Sequence, residues 1–204
     1  MDPGYGVYVE RAVDLLPERI EGQGLLLRRW RVDNAEALGR AVAESADHLR
    51  RWMAFMSEEP QTLEQRMAML REGERRWSEG GDVMLGVFVG DKIAGGCGLH
   101  RRRTPDTLEI GYWIHPSFTG RGLATAVARL LVEAAFSLSG TTRVEIHHDK
   151  ANTASAGVPR RLGFHFVGEA ADQARAPEAV GIDCTWRLDR DDWQRDRHET
   201  LFGG

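Results

Sequence analysis

A single mixed α/β domain with a mostly antiparallel sheet is what the chain predicts, and three stretches carry that prediction. Residues 83–89 and 92–99 are apolar, β-prone runs joined by Gly90-Asp91, a hairpin signal. Residues 108–136, LEIGYWIHPSFTGRGLATAVARLLVEAAF, change period midway. A strand rich in Ile, Tyr and Trp stops at Pro116, and apolar residues then return at Leu123, Val127, Leu130, Leu131, Ala134 and Leu138 with helical spacing. Residues 142–148, TRVEIHH, read as the next strand, so the three pieces make a strand-helix-strand unit with its strands parallel.

Length and composition allow one domain. The chain has 204 residues, 42% hydrophobic and 28% charged, as expected of a soluble protein with a good core. A formal charge of -4 argues against a dedicated nucleic-acid binder. No apolar run approaches the ~18 residues of a membrane helix, and the start, MDPGYGVYVERAVD, lacks a basic region followed by an apolar one. A cytoplasmic location without a membrane partner is the expectation. Cys97 and Cys184 stand far apart outside any C-x-x-C pattern, which favours two buried small hydrophobes over a disulfide or a zinc site.

In chain order, residues 1–22, with Pro3, Gly4, Gly6, Pro17 and Gly22, read as an irregular arm with a strand at most at 5–9. LLLRRW, residues 25–30, is the first firm strand. Asp33 and Glu36 read as a capping pair opening a helix over 35–45, and 48–56 is a second short helical piece. Thr62-x-x-Gln65 is a capping box for a helix with Leu63, Met67, Leu70 and Trp77 on one face. The basic stretch Arg101 to Arg103 reads as a solvated hairpin tip. A helix from Asn152 is stopped by Gly163, with Pro159 expected to kink or shorten it, and strands follow at 164–167 and 182–188. The domain is therefore drawn as 23–190, with the charged residues 191–204 as a solvated tail.

Gly120-Arg121-Gly122 stands directly before a helix. The first N–H groups of a helix lack internal partners and gather at the positive end of its dipole, which is a place for phosphate. Ala124 and Thr125 continue that turn without bulk to bar a pyrophosphate.

Read from His115-Pro116 through Thr119-Gly120-Arg121-Gly122-Leu123-Ala124, this turn resembles the acetyl-CoA signature of the GCN5-related N-acetyltransferases (GNAT), Gln/Arg-x-x-Gly-x-Gly/Ala after a strand ending in His-Pro. Thr119 stands one place from the usual Gln or Arg. Asn152-x-x-Ser155 followed by Arg160-Arg161-Leu162-Gly163-Phe164 resembles the family's later motif, and two motifs in order are more specific than one. The wording EIGYWIHP with N-x-x-S is similar to the ribosomal-protein N-terminal acetyltransferase branch, the RimJ/RimL type. The resemblance covers residues 23–190, most closely 107–168. It implies a GNAT fold whose central parallel strands splay to admit the pantetheine arm, flanked by helices. It further implies acetyl-CoA as acyl donor and a primary amine as acceptor, foremost the α-amine of a protein or peptide N-terminus.

Acetyl transfer needs a neutral amine, an N–H donor for the oxyanion and a hydrogen for the departing thiolate. Glu109 matches the family's proton-accepting glutamate, against a plain reading as an exposed strand carboxylate. Deprotonating an α-amine of pKa ~8 at pH 7 costs about 1.4 kcal/mol, and a lysine at ~10.4 about 4.6, so an α-amine is the easier acceptor. The resemblance gives Asn152 a pantetheine contact and Ser155 a place beside the sulfur as proton donor, although a simple helix cap has the same residues. Many relatives use a tyrosine there. Tyr5, Tyr8 and Tyr112 all precede this helix, which points to Ser155.

Backbone N–H groups of Trp113, Ile114 and His115 are the expected oxyanion and pantetheine partners. Thr119, Gly120, Arg121, Gly122, Leu123, Ala124 and Thr125 are expected to hold the diphosphate, with Arg161, and Arg160 beside it, for phosphate charge. No metal is expected, since His147 and His148 are strand neighbours that point to opposite faces. Competing readings are acetylation of a small amine such as an antibiotic or polyamine, and a non-catalytic acyl-CoA-binding regulatory domain. A dinucleotide oxidoreductase is weakened by the lack of G-x-G-x-x-G. A homodimer is left open.

Overall fold

The computed structural model describes residues 15–195 except residue 103. The strand considered at 5–9 and the last nine residues of the tail lie outside the described residues. The elements are β1 (Arg19–Gly22), β2 (Leu25–Arg29), α1 (Ala35–Glu44), α2 (Ala46–Arg50), α3 (Leu63–Ser78), β3 (Val83–Val89), β4 (Lys92–His100) and β5 (Thr107–Ile114). Then follow α4 (Leu123–Ser137), β6 (Arg143–Asp149), α5 (Thr153–Arg161), β7 (His165–Ala171) and β8 (Ile182–Asp189). The strands form one sheet in the order β1-β2-β3-β4-β5-β6-β8-β7. β5 and β6 run parallel, and the other neighbours among the described residues are antiparallel. This is the mixed, mostly antiparallel α/β sheet that the sequence predicts. Among the described residues no helix is long and apolar enough to cross a membrane.

The two faces of the sheet differ in chemistry. On one, α4 lays Val127, Leu131 and Val132 against Leu85, Leu99, Ile110, Ile146 and Leu188, all nearly inaccessible to solvent. Full burial of each such side chain contributes about 1.5–3 kcal/mol, so this layer holds the central strands together. Cys97 and Cys184 are buried free thiols, as their spacing suggested. On the other face, α1 and α3 seal Leu38, Val42 and Leu70 against Trp30 and Phe88 over the β2–β4 half. Over the β5–β8 half the face turns polar. Register places Glu109 beside Glu145, Glu145 beside Arg187 and His147 beside Thr185, and cross-strand partners share a face.

The Thr62 capping box forms as expected, with Gln65 N–H donating to Thr62 Oγ1 at 3.2 Å and Thr62 N–H to Gln65 Oε1 at 2.8 Å. Asp33 does not cap α1. Asn34 occupies the cap position, and its side-chain oxygen instead accepts from Arg31 N–H and from Arg28. Leu63 is 55% exposed at the first residue of α3, ahead of the turns that pack. β1 has one apolar residue in four, which hides it in the sequence; its pairing to β2 supplies the reason it exists. The boundary drawn at 190 falls inside packed structure. Residues 190–195 are helical, Trp193 is buried in the α4-side core, and Arg190 donates to the carbonyls of Phe136, Leu138 and Thr141 at the end of α4. Four charges in this stretch mask one anchoring tryptophan.

Arg66 on α3 donates to Glu59 at 2.7 Å, with both side chains under a tenth exposed. Removing one partner strands the other charge away from water. Glu59→Ala should therefore lower unfolding stability by about 3 kcal/mol in urea titration. Glu72→Ala, which breaks the solvent-exposed contacts to Arg75 and Arg76, should leave the midpoint close to that of the unaltered chain.

Candidate functional site

The pairing of β5 with β6 stops early. It runs from Thr107↔Arg143 to Ile110↔Ile146 and no further, while β5 stays with β4 as far as Ile114↔Gly95 and β6 stays with β8 as far as Asp149↔Asp183. Each strand is held by its outer neighbour, so residues 111–114 and 147–149 part and leave a gap edged by main chain. His115 N–H donates to the Ala94 carbonyl at 2.8 Å. In an antiparallel ladder alternate amides point the other way, which turns Tyr112 and Ile114 N–H toward the gap and Trp113 toward β4. Of the three amides expected there, Ile114 faces the gap. His115 is taken by β4, and Trp113 shares its direction; strand register, not residue type, decides this.

The loop after β5 leads straight to α4. Pro116–Phe118 forms a 3-10 turn, and Thr119 Oγ1 donates back to the Pro116 carbonyl at 2.8 Å. Gly120 and Gly122 then take φ of 72° and 75°, the left-handed region in which a Cβ is strained. Among the described residues none of the backbone N–H groups of 120–125 donates to a protein acceptor; the first main-chain bond there runs from Ala126 N–H to the Gly122 carbonyl, 3.1 Å. Six free amides at the head of a 15-residue helix are a fitted seat for a diphosphate. Arg161 Nε donates to Thr125 Oγ1 at 3.0 Å, which puts a guanidinium on the rim of that seat. Arg121 lies over the Phe118 ring in the same loop, whereas Arg160 stacks on Trp186, 5.3 Å from the ring centroid, and is turned to another task.

His115 braces the loop through its ring. Nδ1 accepts the Ser117 N–H at 3.2 Å, so the ring hydrogen sits on Nε2 and points to Glu44 of α1, 3.2 Å away. An open groove of about 720 Å³ runs between α1, the β3–β4 turn and this loop, lined by cations Arg40, Lys92 and Arg121 and anions Glu44 and Asp91.

Alternation along β5 sends Glu109 to the polar face and Tyr112 to the α4 face, so the gap has different chemistry above and below. On the α4 side, Asn152 caps α5 by accepting the Ser155 N–H at 3.1 Å. Ser155 Oγ lies 3.1 Å from the Tyr112 hydroxyl. Tyr112, which precedes α5 in sequence, reaches Ser155 from across the gap, a placement that strand pairing and not sequence order creates. Pro159 sits within α5, which ends two residues later, and its missing N–H leaves the Ser155 carbonyl without the usual helical donor.

On the polar side, buried Glu145 accepts from Arg187 at 2.8 and 3.0 Å and contacts His147 Nε2 at 3.1 Å, while His147 Nδ1 meets Asp183 at 2.8 Å. Burial works to lower the His147 pKa, but Asp183 and Glu145, with help from Glu109, outweigh it and raise it. Burial likewise opposes ionisation of Glu145, and Arg187 and His147 overcome that to hold its pKa low. His148 points the other way, its Nε2 accepting from Trp186 Nε1 at 3.0 Å. Among the described residues no group of three or more His, Cys, Asp or Glu could hold a metal ion.

The β7–β8 loop closes the polar side. Asp149 accepts the N–H groups of Val180 and Gly181 at 3.0 and 2.9 Å, and Glu178 makes a two-pronged pair with Arg51 at 2.6 and 2.8 Å. The loop thus joins the end of β6 to the segment after α2.

Known proteins share this fold. The family model described as acetyltransferase (GNAT) domain matches residues 24–165. The Bacillus subtilis (strain 168) protein YdaF, which carries the provisional name ribosomal N-acetyltransferase, is 29% identical over 150 residues, 72% of this chain and 81% of its own. RimL, a ribosomal L7/L12 alpha-N-protein acetyltransferase solved in complex with coenzyme A, superposes with a TM-score of 0.78 at 20% identity, covering 86% of this chain and 99% of that one. The microcin C7 self-immunity acetyltransferase MccE, solved with acetyl-CoA and AMP, superposes with a TM-score of 0.77 at 18% identity, covering 87% and 99%.

Two outcomes follow from the site. Gly122→Trp should weaken acetyl-CoA binding by calorimetry at least tenfold, because the left-handed cap and the seat it shapes are both lost; unchanged affinity would remove the seat. The raised His147 pKa contributes stability that is fully present below the ordinary value near ~6.5 and is lost as pH rises through the raised one. The melting-temperature deficit of His147→Gln should accordingly be larger at pH 6 than at pH 9.

Proposed function

The chain belongs to the acetyltransferase (GNAT) domain family, and from that membership we propose that it carries acetyl groups from acetyl-CoA to the α-amine of a protein or peptide N-terminus. It is an acyltransferase, with acetyl-CoA as donor. The observation that supports the site assignment most is the run of free amides at residues 120–125 beside the gap between β5 and β6. Gly120, Arg121, Gly122, Leu123, Ala124 and Thr125 hold the diphosphate, with Arg161 at its rim; Thr119 gives the hydrogens of its N–H and Oγ1 to the Pro116 carbonyl and shapes the turn instead. Ile114 N–H and the Asn152 turn receive the pantetheine side of the gap, and the polar face receives the amine.

Glu109 is the base on that face, and Ser155 on the α4 side faces the departing sulfur. Around Glu109 the face carries Glu145, Asp183, Arg187 and His147, three carboxylates to one guanidinium and an imidazole whose pKa those carboxylates raise. A cationic amine is drawn to such a face and must lose a proton there before it attacks. That loss costs about 1.4 kcal/mol at pH 7 for an α-amine and about 4.6 for a lysine, which favours the N-terminus as acceptor. The likeness to RimL, whose name gives it an alpha-N-protein substrate, supports the same choice, and a cytoplasmic protein would meet such substrates. The second reading is an amine on a small molecule, favoured by the likeness to MccE, a self-immunity acetyltransferase on the same fold.

Thiol release from acetyl-CoA separates the two when short peptides with free N-termini are compared with polyamines and aminoglycosides. Faster release with peptides is expected; release with the small amines alone would install the second reading. Glu109→Gln should lower kcat at pH 7 by about 100-fold with acetyl-CoA affinity unchanged, and the loss should shrink as pH approaches the pKa of the amine.

A further inference from the structure

Tyr112 is the second residue past the last β5–β6 pair, and its ring spans the opened gap from β5 to the first turn of α5, ending 3.1 Å from Ser155 Oγ. Two hydroxyls share that single hydrogen bond, and its direction decides what each can do next. A phenol is a far stronger acid than an alcohol, titrating near ~10 in water. Burial pushes this one higher, against smaller opposing effects of Ser155 and Arg161, so it keeps its hydrogen throughout the neutral range. The alcohol is the better acceptor, and the favoured arrangement has Tyr112 donating to Ser155. The Ser155 amide is already tied to Asn152 Oδ1, which fixes the backbone beneath Oγ. With its lone pair engaged by Tyr112, Ser155 has its one hydrogen left to give.

We propose that Tyr112 is a positioning residue for acetyl transfer: by donating to Ser155 Oγ it turns the Ser155 hydrogen toward the departing sulfur. This rests on acetyl transfer past Ser155. In that step the amine nitrogen bonds to the thioester carbon, the carbon–sulfur bond breaks with its electron pair on sulfur, and the amine proton passes to Glu109. An alkyl thiol titrates near ~8.5, far below a serine hydroxyl, so Ser155 gives the sulfur a hydrogen bond and not its proton. The thiolate is protonated from Glu109 by way of solvent, which returns every group to its starting state.

The test follows thiol release from acetyl-CoA, with the panel of free-N-terminus peptides and polyamines, in the unaltered chain and in Tyr112→Phe, Ser155→Ala and the double variant. Phenylalanine keeps the ring in place, and each protein is assayed below its melting range. Tyr112→Phe should lower kcat about three- to tenfold, the size of one ordinary hydrogen bond, with KM for acetyl-CoA within twofold. The double variant should be no slower than Ser155→Ala alone, because Tyr112 acts through that hydroxyl. Unchanged kcat in Tyr112→Phe, or losses that multiply in the double variant, would overturn the proposal while acetyl transfer stands. Absence of thiol release from the unaltered chain with every amine would overturn acetyl transfer itself and this role with it.

Discussion

The parting of β5 from β6 after Ile110 and Ile146 is the constraint on which the rest of the site depends. A parallel pair in mid-sheet normally continues as long as both strands do, since each unpaired main-chain group loses a bond worth about a kilocalorie per mole. Here each strand follows its antiparallel neighbour instead, β5 with β4 and β6 with β8, and those ladders are longer than the one between them. α4 and its core sit against the paired part. The sheet can open at one end because each parting strand keeps a full antiparallel ladder on its other side.

Opening the sheet exposes both of its faces at one point, and strand alternation then sorts the chemistry. Glu109 and Tyr112 are three residues apart on β5 yet lie on opposite faces, so a proton acceptor and a hydrogen donor stand on either side of whatever enters the gap. The polar face can keep charged groups because α1 and α3 cover only the β2–β4 half of it. Left partly wet, the β5–β8 half pairs its polar groups internally, Glu145 with Arg187 and His147 with Asp183, which lowers the Glu145 pKa and raises that of His147.

What the sequence makes legible follows physical range. The turn before α4, proposed above as the phosphate seat, is local: a helix start, two glycines at positive φ, and small residues behind them are all encoded within a few positions. The Thr62 capping box and the β3–β4 hairpin are local in the same sense. The Tyr112–Ser155 contact joins residues 43 apart, and the direction of the Trp113 to His115 amides depends on a register set by β4, so neither is visible before the strands are placed. β1 and residues 190–195 show the limit of composition, since one isoleucine and one tryptophan outweigh the charges around them once a surface is available to pack on.

The two sides of the gap are also tied to the same helical region, by contacts of different kinds. His115 links the loop before α4 to Glu44 at the end of α1 through a ring that accepts the Ser117 N–H on one nitrogen and faces the carboxylate with the other. Glu178 links the β7–β8 loop to Arg51 just past α2 through an exposed ion pair. An exposed pair of this kind is worth little by itself and is weakened by salt, and the contact from His115 is sheltered at one end only: the ring is almost buried, but the Glu44 side chain is 66% exposed. Both ties to the helical region therefore end on an exposed carboxylate for which water competes, so what fixes the gap itself is the strand pairing on either side of it.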